Sequence, residues 1–143
     1  MIVEESIINY GITQKYVNAI SYKIVGCAIE VHKHIGRGLL ESIYHSCMVE
    51  ELKNSGLEVR SQVCIPVNYK QKNLGGVLKI DLLVNDVVVV ELKSVETMIP
   101  LYKAQLLSYL KLTRKPKGLL INFNSVVYIV NSDSCADIIM VTK

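Results

Sequence analysis

The positions of the apolar residues divide the chain into a helical first part and a β-rich remainder. From about Thr13 to His34 apolar residues recur every three or four positions, which is typical of an amphipathic helix. This stripe consists of Ile20, Ile24, Cys27, Ala28 and Val31. A second helix is predicted from near Leu39 to Asn54, and Gly56 is its expected C-terminal stop. On one side this helix is expected to carry Leu40, Tyr44, Cys47 and Met48.

After Gly56 the pattern changes to short runs rich in β-branched residues, which predict strands. These runs are Val59 to Tyr69, Leu78 to Val84 and Val87 to Leu92. Pro66 indicates that the first strand lies at an edge of the sheet or ends there, because proline cannot donate to a ladder. The run Val87 to Val90 does not alternate, so we expect that strand to be central and covered on both faces.

The remaining elements complete a mixed sheet. Pro100 precedes a helix predicted from about Leu101 to Leu112, and strands at Leu119 to Phe123 and Val126 to Val130 are expected to close the sheet. The predicted order is α, α, β, β, β, α, β, β, without a repeat or a linker. The fold class is therefore α/β, a mixed central sheet flanked by helices, in a single domain over residues 1–143.

Composition narrows the class of protein. The chain has 143 residues, of which 50% are hydrophobic and 20% charged, which excludes a disordered tail. Glu4 and Glu5 stand where a secretory signal would carry bases, and no apolar run approaches the roughly 20 residues that span a bilayer. We therefore expect a cytoplasmic protein without a membrane partner. The formal net charge of +3 is only weakly basic. The four cysteines lack zinc-ligand spacing and are expected to be small buried hydrophobes.

Charged residues interrupt the two apolar strands in the middle of the chain. Glu91 and Lys93 are two positions apart, so the pleat sends both to one face, roughly 6–7 Å apart. A two-residue loop after Val84 would place Asp81 and Glu91 on opposite faces. A three-residue loop, Asn85 to Val87, pairs Asp81 with Glu91 and puts both carboxylates and Lys93 on one face. We predict the three-residue loop.

Two neighbouring carboxylates repel each other unless a cation lies between them. A hard divalent ion such as Mg²⁺ takes oxygen ligands and keeps several waters, so it fits such a pair. Lys93 would hold or deprotonate a metal-bound water and offset charge on a phosphoryl transition state. The alternative is a salt bridge from Lys93 to one carboxylate at the sheet edge, and the spacing alone favours it.

Two helices add further polar residues. Gln105 and Tyr109 are four apart and share a face, whereas Leu106, Leu107 and Leu110 take the other side and are expected to pack. Gly38, Glu41 and Tyr44 recur at intervals of three near the start of the second helix. Compensation of the helix dipole explains Glu41, and half-buried packing explains both tyrosines. Taken singly, each of these structural explanations is favoured.

Together, the motifs resemble those of a known family. Gly38 to Tyr44 reads as a GxxExxY signature, and the chain from about Asn18 to Asn124 resembles the GxxExxY protein family, assigned to the PD-(D/E)XK nuclease superfamily. Its first acid corresponds to Asp81 and its ExK element to Glu91-Leu92-Lys93. Gln105-Leu106-Leu107-Ser108-Tyr109 corresponds to the QxxxY motif of its RecB-like and lambda-exonuclease-like branches. The resemblance implies a restriction-endonuclease-like αβββαβ core with an extra N-terminal helix.

The resemblance also implies an activity and a site. The implied activity is hydrolysis of DNA phosphodiester bonds by water activated by Mg²⁺ or Mn²⁺, with DNA favoured over RNA. The implied metal ligands are Asp81, Glu91, the backbone carbonyl of Leu92, and Glu41 directly or through water. Lys93 would activate the water, and Gln105 would orient water or substrate, so the catalytic set is Glu41, Asp81, Glu91, Lys93 and Gln105.

Substrate contacts are assigned to Tyr44, Tyr109, Lys111 and Arg114. The last two belong to a basic cluster just past the QxxxY helix, with Lys115 and Lys117. Phosphate contacts and a solvated helix end, placed against the helix dipole, explain this cluster equally well.

Other features leave alternatives open. His32 falls in the family's VH element, and a solvated or core histidine is favoured there; Arg37 stands where the family usually has proline. The alternative function is a non-catalytic module that binds nucleic acid or protein on the nuclease fold. A homodimer is left open.

Overall fold

The computed structural model describes residues 12–131 and 135–140, and of residues 126–131 and 135–140 it describes the backbone alone. Three helices are described: α1 (Gln14–Ile35), α2 (Glu41–Asn54) and α3 (Pro100–Thr113). The strands are β1 (Val59–Tyr69), β2 (Lys72–Val84), β3 (Val88–Lys93), β4 (Lys117–Asn122), β5 (Val126–Asn131) and β6 (Cys135–Met140). Glu4 and Glu5, which bear on the expected absence of a secretory signal, lie outside the described residues.

The strands form one sheet in the order β1-β2-β3-β4-β5-β6. β3 and β4 are parallel and joined by α3, whereas the other neighbours are antiparallel. The predicted αβββαβ order is confirmed from α2 to β4, with α1 as the extra N-terminal helix. β1 lies at an edge and β3 inside the sheet, as the sequence predicted.

The sixth strand corrects the prediction that β5 closes the sheet. β6 pairs antiparallel with β5, for example at Val127 and Ile139. Its sequence, Cys-Ala-Asp-Ile-Ile-Met, has neither a β-branched run nor a strict alternation. Pairing with β5 defines this strand, and its local sequence does not predict it.

Helices cover both faces of the sheet. α1 begins after Thr13, whose hydroxyl accepts a hydrogen bond from the Tyr16 amide at 3.0 Å, as expected of an N-cap. The whole predicted stripe of α1 is buried, together with α2, against one face of β3. α3 covers the other face, where Leu106 and Leu110 pack on Val89. The expectation that β3 is buried on both faces is confirmed.

Not all of the apolar positions in the first part of the chain are buried. Leu40 is 71% exposed, because α2 begins at Glu41, two residues after the predicted start near Leu39, and Leu40 is its extended N-cap. Cys27 is buried, but Cys47 is half-buried and Cys64 is exposed on the edge strand β1. The side chain of Cys135 lies outside the described ones. In the described chain, no helix is both long and apolar enough to cross a membrane.

Candidate functional site

The turn between β2 and β3 sets the positions of the two central carboxylates. Val84 pairs with Val88, so the loop has three residues, Asn85 to Val87, as predicted. The register continues through Leu83–Val89 and Leu82–Val90, and its next position brings Asp81 beside Glu91. Both turn residues Asn85 and Asp86 have positive φ angles, 49° and 59°, a conformation that Asn and Asp tolerate best among residues with a side chain.

The two carboxylates bridge the strands where the paired register ends. The Asp81 amide donates to Oε2 of Glu91 at 3.1 Å, and the Leu92 amide donates to Oδ2 of Asp81 at 2.8 Å. Each carboxylate therefore accepts a hydrogen bond from the backbone of the opposite strand. These contacts fix both side chains at the end of an otherwise apolar strand pair.

Burial is the main cause of the shifted pKa of Glu91. Burial, together with the charge of Asp81, raises the pKa of the Glu91 carboxyl from 4.5 to about 8. The Asp81 amide and the charge of Lys93 lower this pKa less than those two causes raise it. An ionised Glu91 is thus under-compensated by the protein itself, which favours a further cation.

Lys93 lies on the same face of β3 as Glu91 but does not form an ion pair with either carboxylate of the described site. Its Nζ is 4.2 Å from the centroid of the Tyr102 ring on α3, a cation–π contact. Among the residues that the structure describes, Lys93 forms no ion pair, so the alternative of a simple salt bridge is wrong. The Tyr102 ring holds the ammonium group beside the site, and the charge of Lys93 is not neutralised by a carboxylate of the described residues.

Glu41 is the first residue of α2 and is exposed. Its carboxyl group is nevertheless partly shielded from water, and this desolvation and the Asp81 carboxylate raise the pKa of Glu41, while Lys93 and His45 lower it. Glu41 and Asp81 line the same cavity, which agrees with this electrostatic coupling. Sequence spacing alone places it only in the first turn of a helix.

The loop before Glu41, residues 36–40, is held by contacts from several elements. Gly36 and Gly38 have φ angles of 71° and 94°. Residues other than glycine rarely adopt this backbone conformation. The Gly38 amide donates to Oδ1 of Asn124 at 3.1 Å, and Oγ of Ser94 donates to the Leu39 carbonyl at 2.6 Å. Arg37 is exposed between the two glycines.

Tyr44 belongs to this support and not to a substrate surface. Its hydroxyl donates to the Gly36 carbonyl at 2.7 Å and accepts from the Leu39 amide at 3.2 Å. Its ring is fully buried and stacks on Phe123 with centroids 4.2 Å apart. The prediction that Tyr44 binds substrate is therefore wrong, because a fully buried side chain cannot contact one.

Asn122 is a structural residue of the site that the sequence analysis missed. Its side chain is fully buried at the end of β4. Its amide group donates to the Val95 carbonyl and to Oγ of Ser125, and its Oδ1 accepts from the Val95 and Asn124 amides. It thereby fixes the chain that leaves β3 just after Lys93. The sequence does contain an indication of this role, because Asn122 is a single polar residue at the end of an apolar strand and a buried polar side chain needs hydrogen-bond partners.

His45 is a second missed residue. It follows Glu41 by one helical turn, and its Nε2 lies 3.3 Å from the Asp81 carbonyl oxygen. A cavity of about 540 Å³ opens here, and Glu41, His45, Gln62, Asp81 and Leu92 all contribute to its lining. The cavity joins the start of α2 to the carboxylate end of β2 and β3.

The QxxxY residues of α3 divide between two environments. Leu106 and Leu110 are buried and Leu107 is half-buried, so the packed side was predicted correctly. Tyr109 is half-buried, and its pKa is raised by burial and then by the charges of Glu91 and Asp81. Gln105 is exposed and does not line the cavity.

The basic cluster after α3 does not form one surface. Lys117 is 8% exposed, and its Nζ donates to Oδ1 of Asn18 at 2.6 Å; burial lowers its pKa. Lys115 pairs with Asp86 at 3.1 Å. Lys111 and Arg114 are exposed at the C-terminal end of α3, next to the helix dipole. The cluster precedes β4, at the opposite end of β3 from Lys93.

His32 is half-buried in α1, and its Nε2 is buried without a hydrogen-bond partner in the described chain. This placement agrees with a packed histidine. It does not line the cavity at Asp81.

The donors at the cavity suit a hard divalent cation, which prefers oxygen ligands. Two carboxylates and the Leu92 backbone are close together. The described residues contain no group of three or more His, Cys, Asp or Glu side chains that could hold a metal ion. Glu41 lines the same cavity as Asp81.

The fold and site are thus an α/β core in which two interior strands carry a pair of carboxylates and a lysine at one end of the sheet. The model of the PD-(D/E)XK nuclease superfamily matches residues 18–132, and the chain belongs to this superfamily. Nucleases of this superfamily generally use divalent metal ions and act on nucleic acids. Neither curated proteins nor solved structures give a match.

Proposed function

We propose that the chain is a nuclease that hydrolyses DNA phosphodiester bonds with Mg²⁺ or Mn²⁺, and that residues 1–143 form a single nuclease-like domain. The observation that carries this proposal is the pair of carboxylates, Asp81 and Glu91, fixed side by side by cross-strand hydrogen bonds. Asp81 lines the cavity, and Lys93 lies two positions after Glu91 on the same face of β3. Within the superfamily, Gly38 to Tyr44 supports the GxxExxY family. Gln105 to Tyr109 supports a RecB-like or lambda-exonuclease-like branch.

Asp81, Glu91 and the Leu92 carbonyl would hold the metal ion, and Glu41 would accept hydrogen bonds from its waters. A bound Mg²⁺ supplies Lewis-acid chemistry, which polarises the phosphoryl group and lowers the pKa of water. Mg²⁺ suits this donor set because all donors are oxygens. The cross-strand hydrogen bonds to both carboxylates keep their free oxygens oriented before a ligand arrives.

Lys93 would orient the attacking water and offset the negative charge that develops on the phosphoryl group. Its contact with Tyr102 keeps Nζ near the carboxylates without neutralising them. Tyr109, half-buried near Glu91, would contact the substrate, and the exposed Gln105 would reach a water or a nucleotide outside the cavity. Lys111 and Arg114 would contact phosphates further along the substrate.

The direct test is cleavage by the purified protein. Duplex, single-stranded and branched DNA, and RNA of matching sequence, are incubated with Mg²⁺ or Mn²⁺. We expect DNA cleavage that disappears in Glu91→Ala and in Lys93→Ala while circular dichroism and thermal melting show a retained fold. A wild-type protein that binds the metal but cleaves none of these substrates contradicts the proposal.

The second candidate is a non-catalytic nucleic-acid- or protein-binding module on the same fold. The hydrogen bonds of Asp81 and Glu91 to the opposite strand favour it, because they give both carboxylates a structural role. This candidate predicts DNA binding that neither Mg²⁺ nor Glu91→Ala changes. Cleavage that disappears on the same substitution excludes it.

A further inference from the structure

The outer part of the β1–β2 hairpin extends beyond the rest of the sheet. We call residues 64–79 the hairpin arm; Cys64 faces Lys79 at its base. Its two strands pair with each other, whereas the pairing of β2 with β3 is confined to Leu82–Val84. In the described chain, no third strand therefore covers the arm, although Ile65 at its base packs on the α3 side of the core.

The tip of the arm has a defined shape. Tyr69 pairs with Lys72 across a two-residue turn, and both turn residues, Lys70 and Gln71, have positive φ angles, 50° and 67°. This is the pattern of a type I′ hairpin turn, whose twist matches that of the strands. Behind the turn the register shifts after Val67, a bulge that adds twist.

The arm carries positive charge only. From Val59 to Ile80 the sequence has no acidic residue, and the arm itself has three lysines, Lys70, Lys72 and Lys79. All three are exposed, and none forms an ion pair with a described carboxylate. Their summed charge equals the formal net charge of the whole chain, +3. The formal charges of all residues outside the arm therefore sum to zero.

Exposed apolar and aromatic side chains lie between these charges. Tyr69 is 62% exposed, and Nζ of Lys70 is 5.4 Å from the centroid of its ring. Leu74 and Val77 are 68% and 60% exposed. A cationic surface with an aromatic ring suits a sugar–phosphate backbone, because the lysines bind phosphates and the ring stacks on a base.

The base of the arm leads directly into the candidate site. Gln62, just before the arm on β1, lines the same cavity as Glu41 and Asp81. From Gln62 to Tyr69 the strand extends about 23 Å, at roughly 3.3 Å per residue. At about 3.4 Å per nucleotide along one strand, this length matches roughly seven nucleotides.

We infer that the hairpin arm binds the sugar–phosphate backbone of the nucleic acid that is cleaved at the candidate site, beside the cavity lined by Asp81 and Glu41. This inference rests on the proposed function and names the surface that holds the substrate outside the cavity. A second copy of the chain is the competing occupant. Two such arms would bring like charges together without an acidic residue between them, which disfavours arm-to-arm pairing.

The test measures binding without metal, so that cleavage does not interfere. The arm variant Lys70→Ala/Lys72→Ala/Lys79→Ala is compared with a charge-matched control, Lys15→Ala/Lys23→Ala/Lys53→Ala, whose three lysines are exposed on α1 and α2. The probes are a fluorescein-labelled DNA duplex, its single strand and an RNA of the same sequence, in EDTA over a range of salt concentrations. Thermal melting and sedimentation velocity accompany each variant.

For at least one probe we expect the affinity of the arm variant to fall by about tenfold or more, because each lysine neutralises phosphate charge. On duplex DNA the slope of log K against log salt should fall by about 0.9 for each phosphate that the variant no longer binds. The affinity of the control variant should fall clearly less, and Lys70→Arg/Lys72→Arg/Lys79→Arg should bind like the wild type.

Four results overturn the inference: no wild-type binding to any probe, an unchanged affinity of the arm variant, equal decreases in the arm and control variants, or a change of oligomeric state without a change in affinity. The proposed function is tested separately by cleavage. A wild type that cleaves while the arm variant binds normally overturns the arm alone. Arm-dependent binding without cleavage under any metal condition contradicts the nuclease and leaves the arm supported.

Discussion

The two ends of the central strand β3 treat charge in opposite ways. At its start, Asp86 pairs with both Arg60 and Lys115 at 3.1 Å. At its end, Asp81 and Glu91 lie side by side with the cation of Lys93 held on an aromatic ring instead of in an ion pair. The first arrangement neutralises a turn by itself. The second leaves two neighbouring carboxylates without a paired cation among the described residues, and a bound metal ion would supply one. We therefore expect catalysis at that end.

The largest expected effect is the loss of cleavage when the carboxylate end is altered. Glu91→Gln keeps the size of the side chain but removes the charge that would hold the metal, and we expect the cleavage rate to fall by about 100- to 1000-fold. The matched control is Asp86→Asn at the start of β3, which we call the paired end because Asp86 forms two ion pairs there. This variant should cleave at the wild-type rate. Single-turnover cleavage of DNA with Mg²⁺ measures both variants. Equal decreases in the two variants would remove the distinction between the ends.

The next effect concerns the buried amide that fixes the chain after Lys93. Asn122→Ala leaves the Val95 amide and carbonyl without their partner, and we expect a decrease of about 2–3 kcal/mol in the free energy of unfolding. Urea denaturation measures this decrease. Asn18→Ala, which removes the acceptor of Lys117 at the other end of the sheet, is the control and should cost less. An equal cost would place the main polar anchor elsewhere.

A third prediction uses pH, because the carboxylate end of β3 holds Glu91, whose pKa is raised to about 8. Glu91 has a raised pKa in the folded state, so between 4.5 and about 8 the folded chain binds more protons than the unfolded chain. The contribution of Glu91 to stability is therefore present at low pH and lost as the pH rises through this window. Thermal melting in EDTA should show a steeper decline for the wild type than for Glu91→Gln.

Added Mg²⁺ should oppose this decline, since it binds the ionised form and stabilises the folded state by mass action. The gain in melting temperature on adding Mg²⁺ should therefore be larger near the upper end of the window. A wild type and a Glu91→Gln variant with parallel pH profiles would show that Glu91 is not under-compensated.

The smallest effect is expected at the paired end. Asp86 is exposed, and exposed ion pairs contribute roughly 0–1 kcal/mol. Asp86→Asn should therefore lower the free energy of unfolding by less than about 1 kcal/mol, and added salt should reduce the difference further. A larger decrease, insensitive to salt, would mean that the turn at Asp86 has a greater structural role than its two ion pairs indicate.

The sequence predicted best what depends on local pattern and register. The valine run of β3 identified the central strand, and the odd loop length followed from asking which register joins Asp81 to Glu91. These features are local, because the strand alternation has a period of two and one hairpin connects both acids. The α1 stripe was likewise readable from helical spacing alone.

What the sequence did not predict depends on partners distant in the chain. Nothing in the helix of Tyr44 indicates a ring stacked on Phe123, so its spacing wrongly suggests a substrate contact. Lys117 groups with a basic cluster in the sequence, although its acceptor, Asn18, belongs to α1. The sequence does not single out His45, because this helical residue contacts a backbone carbonyl of β2, which any residue of that strand could provide. β6 depends on pairing with β5, which its own sequence does not specify.

The hydrogen bonds around the loop 36–40 have a consequence for how the site assembles. Asp81 and Glu91 are ten residues apart in one hairpin, so their contact needs only a short loop to close. Glu41 depends on bonds from Ser94 and Asn124 to residues that are 55 and 86 positions away. The hairpin half of the cavity can thus form early in folding, whereas the helical half waits for β4 to dock. In a pulsed hydrogen-exchange experiment, the Leu92 amide should gain protection before the Gly38 amide.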